Sequence, residues 1–208
     1  MKLKQYLIDG VDDVDLEKMT DWQKIINKDC KQYVKEVGLF DTPIDRNNIF
    51  TKVLFRGFQT PPPDWRIEKN QVRKDRRPRY IPERLHKHLG DLTKEMFGWN
   101  TRTEGLFTGS FSIAGSFGQP RVVIPIGKYR YIYLGDDELE TLYIMYDLWL
   151  QQTPYDELEE IVKKYNPSGL RPFLRSRKGN DRWECIVNCK EYYVMSMDII
   201  KQISGNSK

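Results

Sequence analysis

An α+β domain is what this sequence predicts, on two observations. The 3.6-residue apolar repeat of a packed helix occurs over 20–37, 82–98 and 155–165. Interleaved with these are short runs rich in β-branched and aromatic residues: Phe50–Phe55, Arg121–Ile126, Tyr129–Leu134, Trp183–Val187 and Tyr192–Met197. At 208 residues such a chain buries a substantial core, and 39% apolar with 31% charged residues is ordinary globular composition. The expected organisation is an N-terminal arm over 1–19, one domain over 20–200 with a basic excursion at 59–81, and a frayed tail over 201–208.

Several classes are excluded at once. No run approaches the roughly 18 apolar residues of a membrane span, and Met1–Tyr6 lacks the apolar core of a secretory signal. Three cysteines (30, 185 and 189) and two histidines are too few for a disulfide framework or a structural metal set. A reduced, cytoplasmic protein without metal or membrane contact is expected.

The elements follow in order. Thr20 and Gln23 stand in capping-box relation ahead of Trp22, Ile25, Ile26, Cys30, Tyr33, Val34 and Val37, with Gly38 placed to end the helix. Phe50–Phe55 reads as a strand that ends at Arg56-Gly57. Pro61-Pro62-Pro63 stiffens the excursion. Pro82 opens a helix with Leu85, His88, Leu89, Leu92 and Met96 on one face, where His88 reads as a packing residue and His86 as surface. Two strands flank Gly127-Lys128, whose glycine suits the positive φ of a tight turn. Asp136–Gln152 reads as a helix with an acidic first turn, Tyr155–Tyr165 as another, and Arg171–Arg182 as a basic loop. The last two strands read as a hairpin.

Three segments carry the candidate chemistry: VLFRG (Val53–Gly57), LFTGSFSIAGSFG (Leu106–Gly118) and RWECIV (Arg182–Val187). Each has a plain structural reading. Taken alone, Arg56 reads as a salt-bridging residue at a strand end, the Thr and Ser as local caps, and Glu184 as a half-exposed sheet residue. In this order they resemble the arginine–serine–glutamate branch of the ADP-ribosyltransferase superfamily, over roughly residues 20–197. The resemblance implies two facing sheets in a split β-sandwich around a central cleft, with helices packed outside and Arg56 and Glu184 approaching from opposite sheets. It implies NAD as substrate. By position Arg56-Gly57 takes the cofactor-gripping Arg-Gly, Thr108-Gly109-Ser110 the Ser-Thr-Ser turn, Ala114 and Phe117 the Ala-x-x-Phe pair, and Glu184 the catalytic acid.

Those residue types suit that chemistry. A guanidinium fork matches phosphate and ribose, and the Ser110 hydroxyl can orient it or the carboxylate. A glutamate can bond a ribose hydroxyl and stabilise the charge that develops at C1′ as nicotinamide leaves. Phe111 or Phe117 can stack on the nicotinamide ring. Departures are equally specific: Gly109 stands in the middle of the triplet, the following helix is about two positions short, and Arg182 stands two residues before Glu184, where arginine-modifying members carry Glu or Gln.

Nine Lys/Arg against three acids lie between Arg66 and Lys87, among them Arg73, Lys74, Arg76, Arg77 and Arg79, with Trp65 and Tyr80 interleaved. That pattern fits either a solvated loop or a surface for nucleic acid or an anionic protein. The whole chain also resembles small proteins of tailed bacteriophages, which implies residence in a host bacterial cytoplasm. Three functions follow: transfer of ADP-ribose from NAD to a protein or nucleic acid; an inactive relative that binds a host toxin or nucleic acid as a counter-defence factor; or a nucleic-acid-binding accessory domain.

Overall fold

The computed structural model describes residues 16–74, 82–135, 156–177 and 181–205. The helix expected over Asp136–Gln152, the arm over 1–15, and Arg76, Arg77 and Arg79 lie outside the described residues. The protein is α+β, with about eight helices among the described residues and one open, fully antiparallel sheet of seven strands. Its strands are β1 (Leu54–Phe58), β2 (Glu68–Gln71), β3 (Leu106–Gly109), β4 (Gln119–Ile126), β5 (Arg130–Leu134), β6 (Glu184–Asn188) and β7 (Glu191–Met195), in the order β2-β7-β4-β1-β3-β6-β5.

The N-terminal helical pattern becomes two helices, α1 (Leu16–Asp29) and α2 (Lys31–Val37). Thr20 therefore lies inside a helix rather than at its start. The break at Cys30 has a tertiary cause: the Asp29 carbonyl accepts from the Gly127 N–H at 2.7 Å, and the Asp29 carboxylate accepts from Tyr193 Oη at 2.7 Å. Gly38 ends α2 in the left-handed conformation, φ 67°, as its position predicts. The first strand begins and ends later than its apolar run suggests, because Ile49–Thr51 forms a 3-10 turn and pairing with β4 continues through Arg56-Gly57 to Phe58.

The 59–81 excursion is not all loop. Glu68–Gln71 has no apolar alternation, yet it pairs along β7 as an edge strand. α3 (Glu83–Phe97) stops at Gly98, φ 74°, and α4 (Thr101–Glu104) follows, capped by the Asn100 side chain. α5 (Phe111–Gly115) leaves the end of β3. α6 spans Asp156–Val162. α7 (Leu170–Arg175) occupies part of the expected basic loop, because Leu170, Phe173 and Leu174 are buried. The tail is helical to its described end: α8 (Met197–Gly205) buries Ile199, Ile200 and Ile203, and Ser204 Oγ accepts from the Ile44 N–H at 2.8 Å.

Neither short connection joins neighbouring strands. β4 pairs with β1 and β7, and β5 with β6; the expected β6–β7 hairpin is likewise two strands that do not pair. In each case four inter-strand spacings separate the two strands in the sheet order. At ~4.8 Å per spacing that is about 19 Å in a flat sheet. Ile126 to Arg130 and Asn188 to Glu191 reach at most about 15 and 11 Å, at ~3.8 Å per Cα step. The sheet is therefore folded back on itself. Ile126 lies opposite Glu191 and Arg130 opposite Asn188, so both crossings sit at one corner. Between β1 and β3 the pairing narrows to a single residue pair, Phe55–Gly109, against five between β1 and β4.

The larger core takes Leu54, Phe55, Val122 and Val194 from one side of that junction and Leu106, Cys185 and Val187 from the other. A second core packs Ile132, Leu134 and Ile186 against Leu85 and Leu89 of α3 and Leu158 and Ile161 of α6. All three cysteines are buried and free, and burial pushes the Cys30 and Cys189 thiols up to about 12 and the Cys185 thiol higher still. The native chain is expected to resist maleimide labelling at about pH 8 and to take up three equivalents once unfolded, as counted by intact mass. Rapid labelling of the folded protein would contradict this packing.

Candidate functional site

The three strands that carry the candidate residues are adjacent at the middle of the sheet. Phe55 lies opposite Gly109, and Gly109 opposite Glu184, so residues more than fifty positions apart share one cross-strand row. Two glycines permit the close packing around that row. A Cβ on Gly57 would lie 2.1 Å from the Ala114 carbonyl oxygen and 2.9 Å from the Phe117 carbonyl carbon. The end of α5 thus rests directly on the Arg-Gly backbone. A Cβ on Gly109 would come within 2.6 Å of the Trp183 carbonyl oxygen. The glycine in the middle of Thr108-Gly109-Ser110 is accordingly required by the strand beside it.

Both hydroxyls of that triplet are buried and engaged. Thr108 Oγ1 donates to the Cys185 carbonyl at 2.6 Å. Ser110 caps α5, its Oγ accepting from the Ile113 N–H at 3.3 Å and meeting Ser112 Oγ at 3.0 Å, while its own N–H donates to the Trp183 carbonyl at 3.0 Å. Their observed work is to lock β3 and α5 onto β6.

Arg56 follows Phe55 and so stands one residue out of the shared row. Beyond the Phe55–Gly109 pair no further β1–β3 pairing forms, and the Arg56 side chain reaches across: Nη1 donates to the Phe107 carbonyl at 2.9 Å. The guanidinium carbon sits 5.8 Å from the Phe58 ring centroid. Burial lowers the Arg56 pKa, opposed by Tyr192. No Asp or Glu among the described residues forms an ion pair with it.

Glu184 opens β6 and is half-buried. Its Oε1 accepts from Tyr165 Oη at 2.8 Å. Burial raises its pKa above the ordinary value of 4.5, and Arg102 and the Tyr165 hydroxyl oppose that rise. Arg56 binds the Phe107 carbonyl, and the Arg102 guanidinium carbon stands 5.1 Å over the Phe107 ring. Arg56 and Glu184 therefore belong to strands on opposite sides of the narrowed junction.

The two candidate stacking rings differ. Phe111 is packed edge-on against Phe50 and Phe55, with centroids at 5.9 and 5.5 Å. Phe117 is 46% exposed at the end of α5. Arg73 and Lys74 are exposed just beyond β2. His86 and His88 are both half-buried on α3. Among the described residues no cluster of three His, Cys, Asp or Glu could hold a metal ion, and no helix is long and apolar enough to cross a membrane.

Sequence reasoning missed three residues. Tyr165 reads as part of an apolar helix stripe. Arg102 sits in a four-residue helix without periodicity. Arg121 lies in an apolar β run, and pairing places it directly opposite Arg56; its charge within that run was the one available signal. Comparison with protein-family models, curated proteins and solved structures finds no match to this chain.

Proposed function

We propose that this protein transfers ADP-ribose from NAD to a protein or nucleic-acid acceptor, at a site where β1, β3 and β6 meet. One observation carries the reading: Arg-Gly, the hydroxyl turn and the glutamate, distant in sequence, sit on three consecutive strands around a one-pair junction. The folded-back sheet supports the split β-sandwich that the resemblance implies, with the junction as its cleft.

In this reading Arg56, which lacks a carboxylate partner among the described residues, holds the cofactor's phosphates. Glu184 bonds a ribose hydroxyl and faces the positive charge that builds on C1′ as the nicotinamide bond breaks. Tyr165 fixes the carboxylate's orientation, and Arg102 favours its ionised form against burial. Phe117, being exposed, is the better placed of the two rings for stacking on nicotinamide.

A second reading is an idle member of the same fold that binds a host toxin or nucleic acid. It is favoured by the engagement of both Thr108 and Ser110 hydroxyls within the protein and by Arg182 at the place where acceptor-engaging Glu or Gln is expected. Calorimetric titration with NAD separates the two. The wild-type chain is expected to bind and Arg56→Ala to lose binding. Absence of heat at millimolar NAD, a free energy weaker than about −4 kcal/mol, would sink the first reading.

A further inference from the structure

Arg56 and Arg121 are direct partners in the β1–β4 ladder, so their side chains leave the same face of the sheet. Two like charges opposite one another are unfavourable unless something neutralises them. Arg121 is 5% exposed and held by neutral acceptors: Nε and Nη2 donate to the Pro62 carbonyl at 3.4 and 3.2 Å, and Nη1 to the Pro120 carbonyl at 3.3 Å. Its one acidic partner among the described residues is Asp64, whose carboxylate lies 2.6 Å from Nη2 yet is 71% exposed to solvent. The Asp64 backbone is anchored separately, its carbonyl accepting from Ser196 Oγ at 2.8 Å.

An ion pair whose acid stands in water is weak and is screened by salt. Rotation of the Asp64 side chain would vacate the place it holds on Nη2, which keeps its bond to the Pro62 carbonyl and has the Gln119 amide oxygen at 3.1 Å. The remaining N–H groups would stay fixed by carbonyls. Asp64 neutralises one of the two guanidiniums; a ligand with two adjacent anionic groups would neutralise both.

We infer that Asp64 is an internal competitor at this site: its carboxylate occupies the place on Arg121 that an incoming diphosphate takes, so that Arg121 and Arg56 then hold the ligand together. Asp64 thereby sets the affinity of the site and discriminates against ligands with a single anionic group. The inference rests on the reading of Arg56 as the anion-gripping residue.

The test uses the full chain at fixed salt, with inorganic pyrophosphate and inorganic phosphate as probes and NAD alongside. Asp64→Asn is expected to tighten pyrophosphate about tenfold and phosphate much less. Adding Arg121→Gln to Asp64→Asn is expected to remove the gain, with thermal melting confirming that each variant is folded. Unchanged or weaker pyrophosphate binding by folded Asp64→Asn overturns the inference and leaves Asp64 as a strap for the 61–66 segment. That result, combined with NAD binding lost in Arg56→Ala, would sink this inference alone. Pyrophosphate tightened by Asp64→Asn, with no affinity for NAD in any variant, would uphold it while sinking the NAD reading. Should the double variant not fold, the pyrophosphate-to-phosphate ratio of Asp64→Asn decides, since a site using both arginines must favour the diphosphate.

Discussion

Gly57→Ala is expected to destabilise the protein by about 3 kcal/mol, the upper end of ordinary overpacking costs. The added methyl would meet the Ala114 carbonyl oxygen at 2.1 Å and the Phe117–Gly118 backbone at 2.9 to 3.0 Å. These are main-chain atoms of α5 and the turn after it, so no side-chain rotation relieves the clash. α5 would have to lift from β1, which would disturb Ser110, its cap, and the Phe111 ring packed on Phe55. For a chain of this size the loss corresponds to a fall in melting temperature of roughly 6–12 °C. Gly115→Ala is a suitable control, since its added methyl would find Pro120 at 3.9 Å, an ordinary contact. Equal melting temperatures for the two variants would show that α5 does not rest on the Arg-Gly backbone.

Glu184→Gln is expected to act in opposite directions on activity and stability. If the carboxylate meets developing charge, its loss should lower turnover on the order of 10²–10³-fold, whereas Gln still accepts the Tyr165 hydroxyl. Stability follows the raised pKa. Folding favours the protonated carboxyl, so its contribution is complete below the unfolded value and is lost as pH rises through the folded one. Toward about pH 8 the wild-type protein gives up that contribution, whereas Gln does not ionise. The variant is therefore expected to melt higher there, with the gain shrinking toward pH 4, near the unfolded glutamate value of about 4.3. A constant difference across that range would mean that ionisation of Glu184 is not what separates the two proteins. On the proposed reading, the same shift moves the acid limb of the pH–rate profile upward from the ordinary glutamate value.

Much of the local structure was legible because it depends on local physics. Pattern and punctuation identified α3, the left-handed stop at Gly38, the turn at Gly127, and the strand–turn–helix passage through Thr108-Gly109-Ser110. The three motif segments were also visible, since Arg56, Ser110 and Glu184 sit in recognisable neighbourhoods. The structure adds their adjacency at the middle of the sheet.

Where reading along the chain failed, a distant partner was responsible. β2 forms from Glu-Lys-Asn-Gln because β7 offers an open edge, a service that leaves no mark on the edge strand's own composition. The break at Cys30 exists because Gly127 and Tyr193 claim Asp29. Two strands joined by two residues look like a hairpin in any sequence, yet β6 and β7 lie four positions apart, since the folded sheet brings their ends together at a corner. The site divides in the same way. Residue types alone nominate an arginine, a hydroxyl and a glutamate, because their chemistry is intrinsic. That Ser110 and Thr108 are occupied, that Tyr165 and Arg102 attend Glu184, and that Arg121 faces Arg56 under an exposed Asp64 were decided by strand pairing and packing. Those contacts join residues up to 82 positions apart, Arg102 and Glu184, where no period or short motif carries information.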